Sequence, residues 1–103
     1  MYLVHAVLRP VSPGLALPSD ARELLRGEVW PEDRIEHLVV HPHPGADPVL
    51  GVYLLADRLE DAEARTDRFC HRALTALPQF AGWRAARGAA PLLAPFYERL
   101  LGL

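Results

Sequence analysis

Lysine and asparagine are absent from the 103 residues, and cysteine occurs once, at position 70. A single cysteine excludes an intrachain disulfide and fits a reducing compartment. All eleven basic residues are arginine. Together with the abundance of alanine, leucine, proline and glycine, this reads as the codon bias of a GC-rich genome and carries no functional content. Nor is positive charge in excess: the formal net charge is -2 and the pI about 6.2, so no overall positive field exists to hold a polyphosphate backbone. No apolar run approaches the ~20 residues that a membrane-spanning helix needs. The opening MYLVHAVLRP lacks a basic leader and is interrupted by His5 and Arg9, so it is not read as a secretory signal. P-loop, Rossmann, CxxC and GxSxG patterns are also missing, which counts against common nucleotide and hydrolase chemistry. The expectation is one cytoplasmic domain over residues 1–103, with no nucleic acid, membrane or cofactor as partner.

What is present is globular. Half of the residues are apolar and 23% are charged, far from the composition that keeps chains disordered. Tyr2 to Arg9 is a short Leu- and Val-rich run ended by Pro10, Pro13 and Gly14, and reads as a strand. LPSDARELLRG follows, with Ser19 or Asp20 as N-cap, Glu23 in capping-box spacing from Asp20, and Gly27 as a stop. RIEHLVVHP (34–42) and VLGVYLLA (49–56) are strand-like and flank HPGADP, so they read as an antiparallel hairpin with Pro42 to Pro48 as a rigid connection. Asp57 and Glu60 give the next cap signal. The stretch after them repeats Leu59, Ala62, Thr66, Phe69, Ala73 and Leu77 at helical intervals, with Cys70 and Leu74 widening the stripe. QFAGWRAA reads as a fourth strand weakened by Gly82. APLLAPFYERLLGL reads as a terminal helix, with Pro95 early and Phe96, Leu100 and Leu101 as contacts.

This order of elements resembles the ferredoxin-like α+β fold, a βαββαβ antiparallel sheet with two helices on one face, here with an added C-terminal helix. The resemblance covers about residues 2–86 and is one of pattern. VYLLAD and APFYERLL also resemble segments of small proteins from GC-rich bacteria, which implies no activity. Proteins of this type pair two sheets into a dimeric α+β barrel, sometimes with a substrate cavity between them. The resemblance therefore implies a homodimer.

Side chains alternate along a strand, so each strand divides into two rows. Tyr2, Val4, Ala6 and Leu8 form the better core row of the first strand, Leu38 and Val40 of the second, and Leu50, Val52, Leu54 and Ala56 of the third. The opposite face then holds Leu3, Val7, Ile35, Val39, Val49 and Leu55, with His5, His37, His41, Arg9 and Tyr53 among them. A patch of that size calls for a cover. A second subunit, the C-terminal helix or a ligand would serve.

His5, His37, His41 and Tyr53 are the candidate ligand-binding or interface residues. Histidines and a tyrosine projecting into an apolar cavity suit a small apolar or aromatic ligand, and histidine acid-base chemistry or cofactor-free oxidation would follow if the site were catalytic. Without an acid-base pair at diagnostic spacing, the leading expectation is a dimeric binding or accessory protein, for example for a protein partner in a biosynthetic or regulatory pathway. His41 and His43 form an HxH that could join His37, His5 or Asp47 around a metal. Two ligands do not make a site, so no metal is assigned, and a metal-binding sensor or carrier stands as the third functional reading. Cys70 reads as a buried small hydrophobe and His71 as solvated. Arg65, Arg68 and Arg72 read as a solvated, salt-bridged stripe, and Trp30, Trp83, Phe96 and Tyr97 as core or dimer contacts.

Overall fold

Apolar residues at every second position can bury one side of a strand only if something packs on that side, and the long helical stripe supplies the match. The computed structural model describes residues 1–43 and 45–86. It contains four strands, β1 (Tyr2–Pro10), β2 (Ile35–His43), β3 (Ala46–Leu54) and β4 (Trp83–Ala85), and two helices, α1 (Ala21–Arg26) and α2 (Leu59–Ala76). The sheet order is β2-β3-β1-β4, and the registered neighbours are antiparallel. This is an α+β architecture with two helices and a four-stranded sheet, compatible with a ferredoxin-like fold. It has local departures: α1 is under two turns, and single-turn 3-10 helices at Pro31–Asp33 and Pro78–Phe80 precede β2 and β4. The expected terminal helix, with Pro95, Phe96 and Tyr97, lies outside the described residues. No described helix is long and apolar enough to cross a membrane.

The core forms as the row pattern predicts. Val4, Ala6 and Leu8 of β1, Leu38 of β2, and Leu50, Val52 and Leu54 of β3 are buried with Ala21 and Leu25 of α1 and with Ala62, Phe69, Cys70, Ala73 and Leu74 of α2. Each fully buried large side chain, such as Phe69, contributes about 1.5–3 kcal/mol of transfer free energy. Thr66 sits in this stripe without penalty because its hydroxyl donates to the Ala62 carbonyl at 2.9 Å.

Several local expectations are corrected. Neither helix has a side-chain cap: α1 starts after Asp20 and α2 after Arg58, so Ser19, Asp20, Asp57 and Glu60 do not act through their side chains. Gly27 ends α1 in right-handed geometry (φ -63°) and does not use the left-handed freedom that usually makes glycine a stop. QFAGWRAA is a 3-10 turn followed by a strand of only three residues, because Gly82 takes φ 84° between them. Pro42 to Pro48 is not a long connection either. The strands run into it, and pairing continues to His43 opposite Ala46, with a bulge between them and the His41–Val49 pair. A bulge on β3 tolerates Pro48, which has no N–H to give the ladder.

Ile35 is the informative exception among the rows. It pairs with Leu54, whereas His37 pairs with Tyr53, so one extra residue lies on β2 between them. A one-residue insertion reverses the parity of everything before it. Ile35 therefore packs with the core instead of joining the outward row expected for it.

Candidate functional site

The register arranges the outward side chains of β2, β3 and β1 in three cross-strand rows. His37, Tyr53 and Leu3 form the first, Val39, Gly51 and His5 the second, and His41, Val49 and Val7 the third. Helices occupy the other side, so this face is covered by nothing in the described chain except its own side chains. The expected residues His5, His37, His41 and Tyr53 all lie on it. They meet in two couples. The His37 ring lies 5.7 Å from that of Tyr53, and His5 lies 6.1 Å from His41 in an edge-on arrangement.

Gly51 lies beneath the second couple. The His41 and His5 rings and the Leu3 methyl surround the place where a Cβ would stand, with His41 Nε2 at 3.6 Å, Leu3 Cδ1 at 3.6 Å and His5 Cδ2 at 3.7 Å, ordinary contact distances that a methyl group would fill without moving them. Gly51 is buried although it belongs to the open face. A glycine inside an apolar strand run often marks such a close approach, and this was the available sequence signal.

The electrostatics follow from that packing. Partial burial lowers the His5 pKa below its usual 6.5, and the neighbouring imidazoles of His41 and then His43 lower it further by disfavouring a second positive charge. His5 is thus held toward its neutral form, able to donate from one ring nitrogen and accept at the other. At the β4 end, Arg9 and Arg84 sit directly opposite each other. Asp47 lies 3.9 Å from Arg9, an exposed pair worth little by itself.

The remaining candidates disperse. Among the described residues no group of three or more His, Cys, Asp or Glu is positioned to hold a metal. An open cavity of about 270 Å³ beside β2 is lined by Arg26, Val29, Ile35, Glu36, His37 and Leu38. A wider groove of about 670 Å³ passes Leu74 and Trp83 between α2 and β4. Of the four candidates, only His37 lines either one. Cys70 is 2% exposed, its thiol pushed up to about 12 by burial first and by Asp67 second, while His71 is exposed. Cys70 is chemically quiet, as expected for a buried thiol.

One polar cluster departs from the sequence expectation. Arg72 is not part of a solvated stripe. Its Nη2 donates to Asp33 Oδ2 at 2.5 Å and to the Glu28 carbonyl at 3.1 Å, and its Nη1 donates to Asp33 Oδ1 at 3.2 Å. The guanidinium carbon also lies 3.7 Å from the Trp30 ring centre. Asp33, only 6% exposed, accepts the Trp30 N–H as well. Trp30 is half exposed and acts as a lid on this ion pair, not as a core residue. Arg65 reaches the Glu32 carbonyl from the same flank of α2, whereas Arg68 is exposed. Position 72 falls one turn from buried Phe69, a boundary placement that periodicity could have flagged. Its partner, 39 residues distant, could not have been found that way. The cluster ties α2 to the α1–β2 connection on the side of the molecule away from the open face.

The edge strand β2 resists pairing with another strand. It carries the bulge at Ile35–His37 and Pro42, and the Arg22 side chain donates to its Leu38 carbonyl at 2.8 Å. The chain matches no family model, no curated protein and no solved structure.

Proposed function

We propose that the chain is a ferredoxin-like binding or accessory protein of the cytoplasm that works as a homodimer, two copies meeting through the open faces of their sheets. The observation that carries this reading is the array itself: Leu3, Val7, Val39 and Val49 set among three histidines and a tyrosine on a face that no other described element covers. Protected β2 favours contact by face over contact by edge. Three strands of nine residues span about 14 Å by 30 Å, roughly 400 Å² per copy. A stable interface usually buries about 800 Å² per partner, so pairing through this face alone would be weak and concentration-dependent, and micromolar concentrations are the range to search. A weak self-contact also suits a module whose face is exchanged with a protein partner.

Sedimentation of the full chain across about 1 to 300 μM, bracketing that range, tests the reading. A monomer–dimer equilibrium is expected, abolished by Val49→Arg and unaffected by a charge on the far side such as Glu60→Arg. A wild-type monomer throughout, or equal loss in both variants, would overturn it.

A histidine acid-base enzyme acting on an apolar or aromatic metabolite is the second reading, favoured by the neutral bias of His5. It requires that pairing enclose a cavity at the array. Binding of small aromatic ligands by the dimer, lost in His5→Gln, is its test.

A further inference from the structure

We infer that His5 and His41 form a two-imidazole site for an exchangeable divalent transition-metal ion of the zinc, nickel and copper class. The inference concerns a single chain and does not depend on two copies pairing.

Register makes the pair. The HxH of the sequence places His41 and His43 on one strand, whereas the structure joins His41 of β2 to His5 of β1 across β3. Both rings reach over residue 51: His41 Nε2 lies 3.6 Å and His5 Cδ2 3.7 Å from the one point where a Cβ of that residue would stand. In an imidazole Cδ2 is bonded to Nε2, so the edge that each ring brings to this point carries its outer nitrogen. The ring centres are 6.1 Å apart. Bonds of about 2.0–2.1 Å from a tetrahedral ion to two imidazole nitrogens set the ring centres roughly 5 Å apart. Rotation about the side-chain bonds closes the remaining gap, and it needs no movement of the strands.

The donor set decides which ion. Neutral imidazole suits zinc, copper and nickel, whereas magnesium and calcium take oxygen ligands. Among the described residues no third histidine, cysteine or carboxylate is placed to complete a cluster. Asp47, the carboxylate that β3 carries, lies against Arg9 instead. Two protein ligands leave the other positions of the ion to water. Structural zinc sites fill all four positions with protein side chains, so this site holds its ion less tightly and exchanges it with solvent. Exchange is what a carrier or sensor requires, and the water positions can accept a further ligand. His43, two residues on from His41, is the rival partner for the same ion.

The experiment is equilibrium dialysis of the full chain at about pH 7.5, where imidazole is mostly neutral, against zinc(II) alone from about 1 to 300 μM, with magnesium(II) as the hard-ion control. Wild type is expected to take up one zinc per chain within that range and no magnesium. His5→Gln and His41→Gln should each weaken uptake at least about tenfold, and His43→Gln by no more than about threefold. Nuclear magnetic resonance of wild type gives a reading that no substitution can confuse: zinc should shift the ring protons of His5 and His41 and leave those of His71, exposed on α2, in place. No zinc uptake by wild type overturns the site. Uptake that survives His5→Gln but not His43→Gln gives the ion to the HxH and overturns it too. Zinc-dependent shifts confined to other histidines have the same force.

Discussion

On the helix side of β1, β2 and β3 the cross-strand rows are Ile35–Leu54–Tyr2, Leu38–Val52–Val4 and Val40–Leu50–Ala6. On the other side they are His37–Tyr53–Leu3, Val39–Gly51–His5 and His41–Val49–Val7. The backbone, hydrogen-bond ladder and twist are shared, and apart from Ile35, whose parity the β2 bulge reverses, only the parity of the residue number differs. One set forms a continuous apolar layer sealed by α1 and α2. The other interleaves branched aliphatics with imidazoles around a gap. The difference teaches that folding is specified by one half of the strand residues and leaves the other half free of the packing that seals the core.

Substitution at neighbouring positions breaks this comparison most directly. Leu50, 1% exposed, is expected to lose about 3 kcal/mol of unfolding free energy as Leu50→Ala, through lost transfer energy and the cavity left behind. A denaturant midpoint measured at low protein concentration checks it. Arg72→Ala comes next, at about 2–3 kcal/mol, since it leaves the Asp33 carboxylate buried without its guanidinium. Arg72→Lys should recover less than half, because an ammonium cannot reproduce the fork. Val49→Ala, one residue from Leu50 but on the open side, should cost about 0.5 kcal/mol or less in the same monomer assay. Equal costs at 49 and 50 would erase the distinction between the faces.

The smallest effect sharpens the comparison through pH. In the unfolded chain His5 titrates near its usual 6.5, and in the fold it titrates lower. Its contribution to stability is therefore present above 6.5 and is lost as the pH falls through the folded value. Between about pH 7.5 and pH 5, which brackets that fall, wild type should lose slightly more stability than His5→Gln. A steeper slope in the variant would contradict the burial assigned to this ring.

Much of this division was legible in the sequence, because alternation is a local property. Val4, Ala6 and Leu8 against Leu3, His5 and Val7 can be sorted without knowing what lies opposite. The stripe from Ala62 to Leu74 follows in the same way. What could not be read depends on pairing. Whether Ile35 faces in or out is decided by an extra residue opposite β3, and the length of the hairpin by how β3 absorbs Pro48. Arg72 looked like its exposed neighbour Arg68 until the Pro31–Asp33 turn was folded against it. Caps failed for a related reason. Asp20 and Glu23 have the right spacing, but tertiary packing, rather than side-chain capping, fixes where so short a helix begins. The histidine face was legible as a surface, yet the diagonal contact of His5 with His41 depends on the register of three strands.

That contact has a mechanical consequence. Because His5 and His41 reach over residue 51 from two other strands, each ring can swing away from the centre by rotating its own side-chain bonds, leaving the peptide of residue 51 in place. Such rotations take picoseconds to nanoseconds at exposed positions, far faster than any rearrangement of strands. Parting the rings would bare a strip of backbone at residue 51 while the frame of the sheet stays fixed.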